Sequence, residues 1–246
     1  MDRSLYIAMS GAKQILQAQA SNANNLANAN TPGFRADFEQ LRSMPVFGNG
    51  YPTRVYAMAE RPGVDLSAGS LQTTGRDLDI AVNGEGWIAV QAKDGSEAYT
   101  RAGDLHITAE GQLVTGNGLP VLGDAGPIAV PPAQKIEIGT DGTISIIPQG
   151  ANATALAVLD RIKLVNPDKS QLEKGTDGLM RVKGGVPAEA TNEVQLETGS
   201  LEGSNVSTVE EMVQMIELAR DFEYQIKMMK TVEDNGNASA ELMRIG

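Results

Sequence analysis

The stretch Ala23-Asn-Asn-Leu-Ala-Asn-Ala-Asn-Thr-Pro-Gly-Phe34 closes a helical pattern that begins near Asp2. Pro32 disfavours helical dihedral angles at Thr31, and Gly33 can adopt a positive φ, so the helix is predicted to end here. Before this point, residues recur in alternating steps of four and three, and only Gln19 breaks the apolar stripe: Leu5, Met9, Ala12, Leu16, Gln19, Ala23 and Leu26. An a/d stripe of this length predicts a coiled-coil helix over residues 2–30.

A second stripe of the same kind lies near the C terminus. It follows alternating steps of three and four without a polar interruption: Met212, Met215, Ala219, Phe222, Ile226 and Met229. The preceding Ser207-Thr-Val-Glu210 has the pattern of a capping box, which starts a helix. We therefore expect a second helix from about Thr208 to Asp234, a break at Asn235-Gly236 and a short helical tail to Ile245. The two terminal helices are predicted to pair as a coiled coil.

Between the helices the sequence indicates β structure. Residues 31–75 are rich in proline and lack helical periodicity, with a hairpin-turn signal at Asn49-Gly50. From Leu78 to about Ile147, short alternating segments are separated by turn signals, which predicts antiparallel strands. The turn signals are Asn83-Gly84, Asp94-Gly95, Glu110-Gly111, Asn117-Gly118 and Asp141-Gly142, with Asp177-Gly178 further on. The predicted fold class is α+β, with a central, mainly antiparallel β region.

Composition excludes several classes of function. The 246 residues carry a formal net charge of −11 and contain no cysteine. No block of Lys or Arg stands out, which argues against nucleic acid as a partner. No segment approaches the roughly 20 apolar residues of a membrane span, so no membrane insertion is expected. The N terminus lacks a basic region followed by a long apolar core, so no cleaved signal peptide is expected.

The sequence offers no set of residues for catalysis or metal binding. His106 is the only histidine, and without cysteine it cannot build a thiolate or histidine metal site. Gly84-Glu-Gly86 and Gly116-Asn-Gly118 lack the spacing of phosphate-binding loops and are predicted hairpin turns. We therefore predict no enzyme activity and no cofactor.

Several motifs match one known family. Asn24-Asn-Leu-Ala-Asn-Ala-Asn-Thr-Pro-Gly-Phe-Arg35 resembles the N-terminal signature of the flagellar rod and hook proteins. Within it, the residues that carry the motif are Asn25, Leu26, Ala27, Asn28, Thr31, Pro32, Gly33 and Phe34. Matches elsewhere are Leu78-Asp-Ile-Ala-Val-Asn-Gly-Glu-Gly-Trp87, Ala98-Tyr-Thr-Arg-Ala-Gly-Asp104, Leu201-Glu-Gly-Ser-Asn-Val206 and residues 211–223. The opening, Met1-Asp-Arg-Ser-Leu-Tyr-Ile-Ala-Met-Ser-Gly-Ala12, resembles that of the proximal-rod members in particular.

The resemblance implies a structural subunit of the bacterial flagellar basal-body rod. It implies export by the flagellar export apparatus, a periplasmic location, and partners that are copies of itself and the proximal and distal rod proteins in a helical tube. It also implies three layers: terminal coiled-coil helices (1–30 and 207–246), an extended or β connecting layer (31–75 and 190–206) and an outer β domain (76–189). The two stripes would form the assembly interface.

The sequence is also compatible with two other interpretations. The chain could be a distal-rod member of the same family, because such members share most of these motifs. It could also be a soluble binding module, in which the β domain binds carbohydrate or protein and the coiled coil forms a dimer. Deleting residues 1–30 would separate the classes, because a binding module should keep its ligand and a rod subunit should lose all function.

Overall fold

The computed structural model describes residues 4–39, 41–45, 55–59, 63–149 and 156–245. These residues form two compact units. The first comprises the terminal helices and residues 36–65, and the second comprises residues 30–35 and 66–205. The chain combines two terminal helices with antiparallel sheets, which confirms the predicted α+β class.

The first unit contains helix α1 (Ser4–Ala27) and helix α2 (Thr208–Ile245). It also contains four strands: β1 (Asp37–Phe38), β2 (Leu41–Pro45), β3 (Val55–Ala59) and β4 (Gly63–Val64). Strands β2 and β3 pair antiparallel, as do β1 and β4. The predicted turn at Asn49-Gly50 lies outside the described residues.

The predicted break in the second helix is wrong. Helix α2 continues through Asn235 and Gly236 to Ile245. Gly inside a helix costs only about 1 kcal/mol relative to Ala, whereas proline, which would force an end, does not occur in this segment. The glutamates of the first turn also favour this helix, because they lie at the positive end of its dipole.

The second unit is built from short antiparallel strands. They are β5 (Leu71–Thr73), β6 (Ile80–Asn83), β7 (Trp87–Gln91), β8 (Glu97–Thr100), β9 (Leu105–Ile107), β10 (Leu113–Thr115), β11 (Ala133–Ile138), β12 (Thr143–Pro148), β13 (Ala157–Arg161), β14 (Leu164–Val165), β15 (Leu172–Lys174), β16 (Met180–Val182), β17 (Gln195–Thr198) and β18 (Ser200–Glu202). The largest sheet has the order β14-β7-β8-β16-β15, and β11-β12-β13 form another. The C-terminal strands return to the early ones, since β17 pairs with β6 and β18 with β5.

The predicted turns hold these strands together. The glycines of the six predicted turns all have positive φ, between +76° and +85°: Gly84, Gly95, Gly111, Gly118, Gly142 and Gly178. The core of the unit consists of fully buried aliphatic side chains from successive strands and loops, among them Ile80, Ile88, Leu105, Leu113, Val121, Ile144 and Leu164. This composition follows from the small share of aromatic residues, which leaves Ile, Leu and Val to fill the interior.

Candidate assembly surface

The two terminal helices pack against each other in antiparallel order. Near the start of α1, a Cβ at Gly11 would lie 3.2 Å from the side chain of Gln225. Near its end, the amide of Asn22 donates to the backbone carbonyl of Glu211 at 3.0 Å. Because the residue number falls along α2 as it rises along α1, the helices run in opposite directions.

The covered positions of α2, and those on one face of α1, follow the heptad spacing. On α1 the buried residues are Ala8, Ala12, Asn22 and Asn25, and half-buried residues of the same face are Leu5, Ile15, Gln19 and Leu26. On α2 the half-buried residues recur in steps of four and three: Glu211, Met215, Leu218, Phe222, Gln225, Met229 and Val232. The remaining described positions of α2 outside this set are exposed.

The structure covers only part of the predicted stripes. Ala12 is buried, and Leu5, Leu26, Met215, Phe222 and Met229 are half-buried. The other six are exposed: Met9, Leu16, Ala23, Met212, Ala219 and Ile226. At these six positions, the side chain that faces the other helix of the same chain is the one next to the predicted residue. That the six exposed residues contact neighbouring chains stays a prediction.

A polar cluster lies on the inner face at one end of the helix pair. The amide nitrogen of Asn25 donates to the Glu211 carboxylate at 3.0 Å and to the backbone carbonyl of Asp37 at 2.7 Å. The amide oxygen of Asn25 accepts from the backbone N–H of Asp37 at 2.9 Å. Asn22 also donates to the Glu211 carboxylate. Both asparagines are buried and Glu211 is half-buried, so these hydrogen bonds offset much of the cost of removing the polar groups from water.

The residues after α1 contain the rest of the family motif. The exposed Ala27 is the last residue of α1. Just after it, the side-chain amide of Asn28 donates to the backbone carbonyl of Asn24 at 2.9 Å and caps the end of the helix. Thr31 and Pro32 enter a turn, in which the N–H of Phe34 donates to the carbonyl of Thr31. The ring of Phe34 lies 4.0 Å from the ammonium of Lys174.

Gly33 cannot be replaced without strain at this turn. Its φ is +68°, and a Cβ there would lie 2.2 Å from the backbone carbonyl carbon of Arg101. Its own N–H donates to the carbonyl of Glu202 at 2.8 Å. The predicted requirement for glycine at this position thus has two causes, the left-handed backbone and the close approach of another strand end.

Next to this turn lies a buried ionic cluster, which we name the Arg–Glu–Trp cluster (Arg35, Trp87, Arg101 and Glu202). The carboxylate of Glu202 bonds Arg35 at 2.6 Å and Arg101 at 3.0 Å, and all three side chains are almost completely buried. The two guanidinium groups lie 5.8 Å and 5.4 Å from the centroid of the Trp87 ring. The cluster therefore holds two cations with one carboxylate and the face of one indole.

Electrostatics and hydrogen bonds complete the cluster. Glu202 also accepts from the N–H of Gly69 at 2.9 Å, and Arg101 donates to the carbonyl of Gly84 at 2.7 Å. Burial lowers the pKa of the Arg101 guanidinium, the Glu202 carboxylate opposes this, and the charge of Arg35 lowers the pKa further. All four residues lie in the sequence motifs that resemble the family, but none of them was predicted to have a role.

Large apolar side chains are exposed on the first unit. On α2 they include Val209, Met212, Val213 and Ile216, which follow the helical spacing of one face, and further along Tyr224, Ile226 and Met228. On α1 they are Tyr6, Met9 and Leu16. Apolar faces of this extent on a helix pair indicate contacts with another protein surface. No helix among the described residues is both long and apolar enough to cross a membrane.

Comparisons with known proteins agree on one family. Residues 5–35 match the family model "Flagella basal body rod protein", residues 81–146 match "Flagellar hook protein FlgE/F/G D1 domain", and residues 197–242 match "Flagellar basal body rod FlgEFG protein C-terminal". The chain is 44% identical to the flagellar basal-body rod protein FlgF of Escherichia coli, with 99% of each chain covered. It is 34% identical to FlgF of Caulobacter vibrioides, with 98% of each covered. It is 32% identical to the flagellar basal-body rod protein FlgG of Bacillus subtilis, with 95% of this chain and 96% of the relative covered.

Proposed function

The chain belongs to the flagellar basal-body rod family, and on this premise we propose that it is a subunit of the proximal rod that polymerises through its terminal helices. The FlgF relative of Escherichia coli matches at 44% identity, against 32% for the FlgG relative of Bacillus subtilis. This difference and the opening residues favour the proximal over the distal rod. The chain is accordingly a structural protein.

The observation that supports polymerisation is the exposed apolar surface of the helix pair. Met9 is 57% exposed, Met212 52% and Ile226 45%, although each lies on a heptad stripe. A side chain of this kind gains free energy when a neighbouring subunit covers it. In a tube built by one repeated contact, each subunit offers one surface and receives another, so both helices can be covered.

We extend the proposal to the remaining layers and partners. The terminal helices would pair as a coiled coil in an inner layer, residues 31–75 and 190–206 would form a connecting layer, and residues 76–189 an outer domain. The partners would be copies of this chain and other proximal and distal rod subunits, after passage through the flagellar export apparatus without a cleaved signal peptide. The location would be the periplasmic part of the basal body. Support comes from the family and from the exposed helix faces.

A pair of substitutions on α2 tests the proposal. Ile226→Asp places a carboxylate on the exposed stripe, so the purified protein should keep its melting temperature, whereas basal bodies should stop growing at the rod. Phe222→Asp places the same charge on the half-buried face of the same helix, where desolvation should lower the melting temperature of the purified protein. The measurements are calorimetry and electron microscopy of basal bodies.

Two results would contradict the proposal. Complete rods in the Ile226→Asp strain would mean that this stripe does not contact neighbours. A large loss of stability in purified Ile226→Asp protein would mean that the stripe packs within one chain. Glu223→Gln, an exposed change one turn away from Ala219, is the matched control and should alter neither measurement.

A further inference from the structure

Each terminal helix carries two possible apolar seams, and the structure uses the more polar one. The two seams share several positions, Gln19 among them, and where they differ the covered seam contains Asn22 on α1, and Glu211 and Gln225 on α2. The exposed stripe, displaced by one residue, contains Met9, Leu16, Met212 and Ile226. Since burial of apolar side chains drives helix pairing, apolar content alone would select the other stripe. Some other interaction must fix the rotation of the helices about their axes.

The polar cluster of Asn22, Asn25 and Glu211, which we name the helix lock, has the geometry to do this. One carboxylate receives the amides of both asparagines, which lie three residues apart on one face of α1. Asn25 in addition bonds both the N–H and the carbonyl of Asp37, so α1 is fixed relative to β1 as well as to α2. A rotation of either helix about its axis that turned the exposed stripe inward would separate these groups.

The rest of the pair consists mainly of apolar contacts such as those of Met215 and Phe222, which are non-directional, and of few polar ones. Gly11 faces Gln225, and a Gln side chain can adapt to either face. The hydroxyl of Ser10 donates to the carbonyl of Ala57 at 3.3 Å, a single neutral bond to β3. Hydrogen bonds to a charged group are stronger than neutral ones, so among the described residues the lock is the strongest directional contact between α1 and α2.

We propose that the helix lock determines which stripe of the terminal helices pairs inside the subunit and which is left outside for neighbouring subunits. This inference rests on the proposed function for the role of the outer stripe, but the choice of inner stripe is a property of the single chain. The lock residues are positioning residues: they contact one another, and they place Met9, Leu16, Met212 and Ile226 on the surface. Buried polar groups are known to specify helix pairing at the expense of apolar contact.

Cysteine crosslinking can test this on the full-length protein, which has no native cysteine. Gly11→Cys with Gln225→Cys reports the inner seam. Met9→Cys with Ile226→Cys, at the same level of the pair, reports the outer stripe. With the lock intact, a short bifunctional thiol reagent should join the first pair within one chain and leave the second pair unjoined. With Asn22→Leu, Asn25→Leu and Glu211→Leu added, the second pair should become the major intrachain product.

Controls separate rotation from loss of stability. Asn24→Leu with Glu210→Leu makes similar changes at neighbouring exposed positions and should keep the original crosslink. An unchanged crosslink in the triple leucine variant would overturn the proposal. Loss of both crosslinks would overturn it as well, because the cluster would then only hold the helices together. Rod assembly tests the proposed function, whereas the crosslinks are measured within single chains. A failure of the proposed function would therefore not change the crosslinking result.

Discussion

At the scale of single residues, the buried charges of the Arg–Glu–Trp cluster are the most sensitive groups in the second unit. Arg35, Arg101 and Glu202 come from positions up to 167 residues apart and are almost completely buried. Removing one partner from a buried ionic group leaves an uncompensated charge, which costs far more than losing an exposed ion pair. Glu202 is the critical member, because it serves both guanidinium groups.

We expect Glu202→Gln to destabilise the protein by about 3–5 kcal/mol, since two buried cations then lack a carboxylate. Glu137→Gln is the matched control. It removes an exposed ion pair with Lys135, which has an N–O distance of 2.6 Å, and should change the melting temperature little. Thermal unfolding followed by calorimetry measures both. Equal melting temperatures for the two variants would show that the cluster contributes no more than a surface pair.

A pH prediction concerns Tyr99. Burial raises the pKa of its phenol to about 12, and the neighbouring Glu97 carboxylate raises it as well, against the opposing N–H of Ala188. The unfolded chain loses this proton near its ordinary pKa of 10.0, whereas the folded chain keeps it until about 12. The free energy of unfolding should therefore fall as the pH rises from about 10 to about 12.

Tyr99→Phe should flatten this alkaline decrease. The variant should also be less stable at neutral pH, because the hydroxyl bonds Glu97 at 3.0 Å and Ala188 at 2.7 Å. Denaturant unfolding between pH 8 and pH 12 measures both effects. Tyr224→Phe removes an exposed hydroxyl and should keep the wild-type slope. An equally steep decrease in Tyr99→Phe would assign the alkaline effect to other groups.

At the scale of elements, local signals predicted turns well and helix faces less well. Within the β region, the Asn-Gly, Asp-Gly and Glu-Gly pairs predicted turns correctly because the requirement for positive φ is a property of two residues. Heptad spacing identified both helices, but the stripe was displaced by one residue at positions such as Leu16 and Met212. Counting apolar residues cannot show that Asn22 and Glu211 bond each other across 189 positions and thereby occupy the inner face.

The wrong break in α2 leads to a prediction at this scale. Gly236 lies inside the helix, its φ is not positive, and apart from its chain neighbours and the nearby helix backbone no atom lies within 4 Å of the place where a Cβ would be. Gly236→Ala should therefore increase helix content and raise stability by up to about 1 kcal/mol, because alanine has the higher helix propensity. Circular dichroism at 222 nm measures the change. A decrease in helix content would support the predicted break at Asn235-Gly236, since alanine is strained where glycine ends a helix with positive φ.

At the scale of the whole molecule, residues 30–35 belong to the second unit although they directly follow α1. The family signature therefore spans both units: Asn25 takes part in the helix lock, and Arg35 lies in the Arg–Glu–Trp cluster. From the sequence, the signature is a single motif at the end of a helix. Its division between two units depends on pairings with Glu211 and Glu202 near the other end of the chain, which spacing alone does not show.

The last prediction concerns two fragments of the second unit, residues 30–205 and residues 66–205. Residues 30–35 are bonded at several points: Arg35 to Glu202, the Arg35 carbonyl to Lys174 at 2.7 Å, and the Phe34 carbonyl to Asn205 at 3.4 Å. Both fragments retain the aliphatic core, so both should fold. The shorter one leaves Glu202 with Arg101 alone and uncovers Trp87, so it should melt at a lower temperature.

Arg35→Met in the longer fragment separates the charge from the rest of the segment. Methionine keeps most of the side-chain volume but lacks the guanidinium, so the variant should melt between the two fragments. The aromatic circular dichroism of Trp87, the only tryptophan, should change in the shorter fragment and little in the variant. Equal melting temperatures for residues 30–205 and 66–205 would mean that the signature after α1 contributes nothing to the fold of the second unit. Its sequence would then need an explanation from assembly alone.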